Sequence, residues 1–264
     1  MGSSTQQDKA SRFRQLHQGR EAFVIPNPWD AGSARALEKL GFLALATSSG
    51  AAAAVLGRRD GQINRDESLA HARAIVEAVD IPVAADLEHG FGDTPEYVAE
   101  TIRLAAAVGL AGGSIEDAGA GTDKSLYSIG QATERIAAAA EAARSLAVPF
   151  ILTARSENFL RGNPDLDDTI RRLQAYAQAG ADVLFAPALP DLAAVRAVVQ
   201  ALGDKPLNFM VGIKGKSFSV ADLQAAGVRR ISLATSLYRA AMAGMHRAAL
   251  EVKEQGTFGF LDTM

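Results

Sequence analysis

The stretch "DLEHGFGD" (residues 86–93) places Asp86, Glu88 and His89 within four positions at the end of an apolar run, "IPVAA", and closes on Gly90 and Gly92. A second apolar run ends in Glu116 and Asp117, and a third, "FILTAR", ends in Arg155. Two carboxylates about 4 Å apart repel by about 1 kcal/mol in water and by about 4 kcal/mol at an effective dielectric of about 20. If these run ends converge, Asp86, Glu88 and Glu116 need a cation, a proton or an arginine among them. An all-oxygen donor set favours Mg²⁺, or Mn²⁺, over zinc. Arg155 can neutralise one carboxylate or grip an anionic substrate with its planar fork.

Convergence depends on the elements that carry these residues. Helical stretches that end in glycine directly before an apolar run recur at Gly41, Gly109, Gly180 and Gly227. Glycine suits the left-handed position just past a helix end. Prolines open further apolar runs at Pro82, Pro149 and Pro206, a position strands tolerate. With "AFVIPN" (22–27) these joints mark eight strands. Between them lie helical patterns such as "DTPEYVAETIRLAAAVG", where Thr94 is the expected cap and Pro95 the first helical residue. Eight strand–helix units predict a single (β/α)₈ TIM-type barrel over residues 1–264, with a C-terminal helical segment from about 237 to 264. An open doubly wound sheet is the alternative, weakened by the lack of G-x-G-x-x-G after the first strand. In a barrel the site lies at the carboxyl ends of the strands. That set also includes Asn27, Asp30, Ser48, Ser49, Pro187, Asn208 and Thr235.

Each of these residues also has an ordinary structural explanation. Asp30 and Asp117 read as caps of following helices, and His17, His71 and His246 as solvated. "VGIKGKS" (211–217) lacks P-loop spacing and reads as a solvated loop. The polar start, "MGSSTQQDKASR", has no apolar signal core and reads as an artificial remnant. There is no cysteine, which excludes thiol catalysis and disulfides. A net charge of -3 gives no electrostatic reason for nucleic acid, and no apolar run has membrane-spanning length. A soluble, cytoplasmic protein is expected.

The motifs "NPWDAGSARALEKLGF", "SSG" (48–50), "LGRRD" (56–60), "DLEHGFGD", "IEDAG" (115–119) and "TARSENF" (153–159), in this order, resemble those of the isocitrate lyase/phosphoenolpyruvate mutase superfamily over nearly the whole chain. The resemblance implies metal-site carboxylates at Asp86, Glu88 and Glu116, with Asp60 as a further one, several acting through bound water. It implies a 2-oxo-acid pocket at Ser49, Gly50 and Ala51 and a substrate arginine at Arg155. It also implies chemistry through a pyruvate-type enolate on Mg²⁺, and a homo-oligomer, dimer or tetramer, that exchanges the eighth barrel helix.

The departures matter as much. The lyases of this family carry a K-K/R-C-G-H lid whose cysteine donates a proton; here the lid is "AGAGTDKSLYS" (118–128), without cysteine. That tells against an ordinary isocitrate or methylisocitrate lyase. The K-T-N-S lid of the mutases falls on Thr122 and Lys124 at its Lys and Asn, with Ser125 retained. Lys124, Tyr127 and His89 remain as candidate proton donors, and Ser125 and Asn208 as substrate contacts. The expected activity is a Mg²⁺-dependent C–C lyase acting on a small 2-oxo or 2-hydroxy dicarboxylate. The alternatives are a phosphonopyruvate-type P–C enzyme, a non-catalytic metal/oxo-acid binding barrel and, remotely, a Schiff-base aldolase using Lys214.

Overall fold

The computed structural model describes residues 4–119 and 125–263. Eight short strands, all parallel, run in the order β1-β8-β7-β6-β5-β4-β3-β2. They are β1 (Phe23–Ile25), β2 (Leu45–Ala46), β3 (Val83–Asp86), β4 (Gly112–Glu116), β5 (Ile151–Arg155), β6 (Val183–Phe185), β7 (Leu207–Met210) and β8 (Arg230–Ser232). The Ala46 N–H donates to the Pro26 carbonyl at 3.1 Å, bringing β2 back against β1 and nearly closing the barrel. This is the (β/α)₈ architecture expected from the joints. Gly41, Gly109, Gly180 and Gly227 all take positive φ, as the helix-end reading requires.

The helices follow local signals. α1 (Gln6–Gln18) begins at a capping box in which Thr5 and Asp8 satisfy each other's backbone N–H. α2 (Ala31–Lys39) starts at Asp30, α5 (Pro95–Ala107) at Thr94, and α7 (Leu166–Ala179) at Asp165; each cap side chain accepts a backbone N–H. Two helices follow β2, α3 (Ser49–Val55) and α4 (Arg65–Val76); α6 (Ile129–Arg144) follows β4. α8 (Leu192–Leu202) and α9 (Val220–Ala225) complete the ring. α10 (Ser236–Gln255) differs from the others, for none of its residues is buried within the chain. Among the described residues no helix is long and apolar enough to cross a membrane.

The structure corrects the reading of the N-terminus. From Thr5 onward it is a built part of the fold: Ala10 and Phe13 are fully buried with Ile25, Ala84, Ala111, Ile151 and Val183 at the amino-terminal end of the barrel. The polar surface of α1 concealed the few residues that face inward. Gly112 is needed there, since a Cβ would lie 2.9 Å from the Phe13 ring and 2.6 Å from the Ile151 carbonyl oxygen. His17 is also buried, not solvated, because it lies on this inward face, and His71 is half-buried with Nε2 2.8 Å from the Trp29 carbonyl.

Candidate active site

β3, β4 and β5 are neighbours, with Asp86 in register with Ser114 and Glu116 with Arg155. Their ends therefore carry the acidic cluster and the arginine to one place. Arg155 Nε is 2.5 Å from Glu157 Oε1, and its Nη1 lies 3.5 Å from Glu116 and 3.7 Å from Asp86. Arg161 adds a second positive charge, 3.5 Å from both Glu116 and Glu157. The Arg155 guanidinium also sits 5.1 Å from the Phe185 ring centre. Burial opposes its charge, but Glu157, Glu116 and Asp86 together raise its pKa further.

On the other side of the cluster Arg155 compensates only in part: its pull on Glu88 and Asp60 is outweighed by burial and their carboxylate neighbours. The Asp86 carboxylate accepts the Ser49 hydroxyl at 2.9 Å and the Ser49 N–H at 3.3 Å, and its other oxygen accepts the Glu88 N–H at 3.2 Å. Glu88 adopts φ 49°, in the left-handed region, a conformation that costs about 1–3 kcal/mol at a non-glycine residue and collects at functional sites. Its Oε1 is buried without a hydrogen-bond partner. Burial, then the charges of Asp86 and Asp60, push the Glu88 pKa up to about 8. Asp60 is raised by burial and then by Asp86. Glu116 is driven well above its ordinary value by burial, against the pull of Arg155. A Cβ on Gly50 would crowd the Thr235 methyl at 3.1 Å and touch the Asp60 carboxylate at 3.4 Å.

This arrangement fits a hard divalent cation by donor chemistry: the donors are all oxygens, one is orphaned, and Arg155 relieves their mutual repulsion only in part. Among the described residues, however, no three Asp, Glu or His side chains converge closely enough to hold an ion by themselves. The fit is to a hydrated ion of the Mg²⁺ kind, which keeps several waters.

A cleft with about 860 Å³ of atom-free space opens at this end of the barrel. Ser49, Asp60, Asp86, Arg155 and Asn208 of the expected residues line it, while Gly50 and Ala51 lie behind Ser49 in α3. Glu88 and Glu116 stand beside it, outside the lining. His89 and Tyr127 also lie outside the lining. His89 is buried beside the Phe91 ring, its pKa lowered by burial and then by Arg135. The Tyr127 hydroxyl donates to Asp93 at 2.5 Å, its ring lies under Arg135, and burial and that bond push its pKa up to about 12. Ser125 is exposed, and Lys124 lies outside the described residues.

Asp117 is not the helix cap expected. It is buried, accepting the Glu157 N–H at 2.8 Å and the Tyr176 hydroxyl at 2.6 Å, and it pairs with Arg172 at 3.2 Å. It thus fixes the backbone of Glu157, the residue that orients Arg155. Glu157 entered the sequence reading only as part of the motif "TARSENF", without a role, and Arg161 and Arg230 were missed. Arg161 belongs to no strand end and left no signal. Arg230 left one: an arginine opening the apolar run "RISLA" of β8.

A family model described as phosphoenolpyruvate phosphomutase matches residues 13–253. A 2-methylisocitrate lyase of Halalkalibacterium halodurans is 30% identical over 261 residues, covering 96% of this chain and 85% of that protein. A candidate lyase/mutase of Burkholderia cenocepacia J2315, of known structure, is 51% identical with a TM-score of 0.95, over 97% of this chain and 92% of that one. The crystal structure of a 2,3-dimethylmalate lyase is 29% identical with a TM-score of 0.87, over 98% and 90% of the two chains. With this coverage, the chain belongs to the isocitrate lyase/phosphoenolpyruvate mutase superfamily.

Proposed function

We propose that this chain is a divalent-cation-dependent lyase that cleaves a C–C bond of a small 2-oxo or 2-hydroxy dicarboxylate. The observation that carries this reading is the convergence of Asp60, Asp86 and Arg155 in one cleft, with the orphaned, buried Glu88 carboxylate oxygen beside it. Its lyase relatives support the reaction class. Asp86, Glu88, Glu116 and Asp60 are the residues that would hold Mg²⁺ or Mn²⁺, largely through water. The cation would supply Lewis-acid stabilisation of developing negative charge, worth several kcal/mol. Arg155, locked by Glu157, faces the substrate carboxylate with a preset geometry. Ser49, held by Asp86, and Gly50 and Ala51 behind it shape the oxo-acid end. Lys124 is the proton donor and Ser125 a substrate contact in this reading, because the Tyr127 hydroxyl is bound to Asp93 and His89 is buried outside the cleft lining. The working form is a homo-oligomer of single-barrel chains joined through α10 and the residues that follow it.

The test is a panel of 2-oxo and 2-hydroxy diacids, run with Mg²⁺ and with chelator. Chelator-sensitive release of a pyruvate-like acid is the expected result; turnover unaffected by chelation sinks the reading. The phosphomutase family model favours P–C chemistry as a second reading, and phosphorus NMR with phosphonopyruvate separates the two. Metal-dependent oxalate binding without turnover of any compound leaves a binding barrel.

A further inference from the structure

The interior of the barrel holds a cation for which the lyase reading has no use. Arg230, the first residue of β8, is 6% exposed. Its Nε donates to Asn208 Oδ1 at 2.9 Å and its Nη2 to Thr153 Oγ1 at 3.0 Å, while Nη1 lies 3.4 Å from His17 Nε2. All three partners are uncharged groups; burial alone lowers the pKa of Arg230 to about 9, and neutral His17 supplies no counter-charge. Among the described residues it has no carboxylate within ion-pair distance, whereas Arg172 has Asp117 and Asp168, and Arg155 has three acids. Burying a charge without an opposite one is costly. The three bonds take three of the five guanidinium N–H groups, leaving two to donate.

The position of this cation matters because Arg230, Thr153 and Asn208 line the same cleft as Ser49, Asp60, Asp86 and Arg155. Thr153 lies two residues before Arg155 on β5. Side chains two apart share a face, so Thr153 sits about 7 Å deeper along the strand. Asn208 is held in turn by Ser232 at 3.1 Å, and His17 by the Phe13 carbonyl at 2.8 Å. The guanidinium is therefore fixed at the cleft floor, about one short diacid's length below the acidic mouth.

We propose that Arg230, oriented by Asn208, Thr153 and His17, forms an anion subsite at the cleft floor that takes the second carboxylate of a four- or five-carbon dicarboxylate. The assignment of the other end of that ligand to the Asp60–Asp86–Arg155 mouth rests on the lyase reading; the floor subsite itself does not. Asn208 is then a positioning residue rather than a direct substrate contact.

Calorimetry with succinate, which lacks the oxo-acid end, and with oxalate plus Mg²⁺, which fills only the mouth, tests this. Succinate should bind Arg230→Gln at least tenfold more weakly than the unmutated protein, with oxalate affinity within twofold. Equal succinate affinity in both proteins, or no succinate binding to the unmutated protein at millimolar concentration, overturns the proposal. Oxalate failing to bind while succinate still depends on Arg230 supports the floor subsite and removes the mouth reading. If Arg230→Gln does not fold, a crystal structure of the unmutated protein with succinate decides: a carboxylate on the Arg230 guanidinium supports the subsite, and succinate bound elsewhere overturns it.

Discussion

Asp86 does three things with one carboxylate: it holds Ser49, receives the Glu88 N–H, and faces Arg155. Replacing it by alanine would remove all three, so Asp86→Asn is the cleaner probe, since it keeps the shape and one acceptor oxygen. Asp86→Asn should fold with a melting temperature within a few degrees of the unmutated protein and bind Mg²⁺ at least tenfold more weakly. Equal Mg²⁺ affinities by calorimetry would remove Asp86 from the metal site. Arg155 calls for a different substitution. Its Nε–Glu157 contact and its two Nη1 contacts use the planar fork, which lysine cannot reproduce although it keeps the charge. Arg155→Lys should still bind Mg²⁺ and lose at least about tenfold in kcat/KM on the substrate found by the panel, roughly 1.4 kcal/mol. Wild-type efficiency would make Arg155 a purely structural neutraliser of Glu116 and Glu157. Much of this was readable in the sequence, because Asp86, Glu116 and Arg155 are each the last residue of a strand and the barrel brings such ends together. What was not readable is which partner each chooses. Asp117 is adjacent to Glu116, yet strand alternation turns it away from the cleft, toward Tyr176 and Arg172.

α1 shows what a helix with few inward residues can do. Phe13 seals the barrel floor, and one turn later His17 meets Arg230 while its Nδ1–H donates to the Phe13 carbonyl. The contact with Arg230 requires the neutral imidazole, whose Nε2 accepts; the bond to the Phe13 carbonyl favours the protonated ring but is outweighed. Burial first, then the Arg230 charge, lowers the His17 pKa from 6.5 to about 3. Between these values the unfolded chain carries a proton on His17 that the folded chain does not. Stability from this residue is therefore intact above about pH 6.5 and falls as pH drops toward 3, by up to about 1.4 kcal/mol per pH unit. His17→Gln removes the titrating group. It should be less stable than the unmutated protein at pH 7.5, with the gap narrowing by about 1 kcal/mol at pH 5.5 as measured by urea unfolding. A gap that stays constant or widens shows that His17 is not the group responsible. Sequence pattern missed α1 because ten of its thirteen residues are polar or charged. Its two large apolar residues, Phe13 and Leu16, make too short a stripe to mark a face, so only the strand ends they cover reveal its role.

The barrel and its cleft are formed by one chain, but within that chain nothing buries the residues of its last helix. α10 spans twenty residues and buries none of them, although Met242, Met245 and Val252 lie on one side of it and are exposed. The residues that follow add exposed Phe258 and Leu261. The Glu251 carboxylate folds that end back on the helix by accepting the Thr257 hydroxyl and the Gly259 and Phe260 N–H groups. Every other helix of eight or more residues buries part of a face against the barrel or its neighbours. Each large apolar side chain left in water forgoes about 1.5–3 kcal/mol of burial, and a contiguous set of them marks an interaction surface. A closed assembly of identical chains is the commonest way to cover such a surface. The protein should therefore run in light scattering at a multiple of its 27.6 kDa chain mass. The double substitution Met242→Glu and Met245→Glu places like charges on that face and should shift the mass toward one chain while the far-ultraviolet circular dichroism stays barrel-like. A single-chain mass for the unmutated protein at micromolar concentration would refute assembly. An oligomer unaffected by the two glutamates would place the interface on another face.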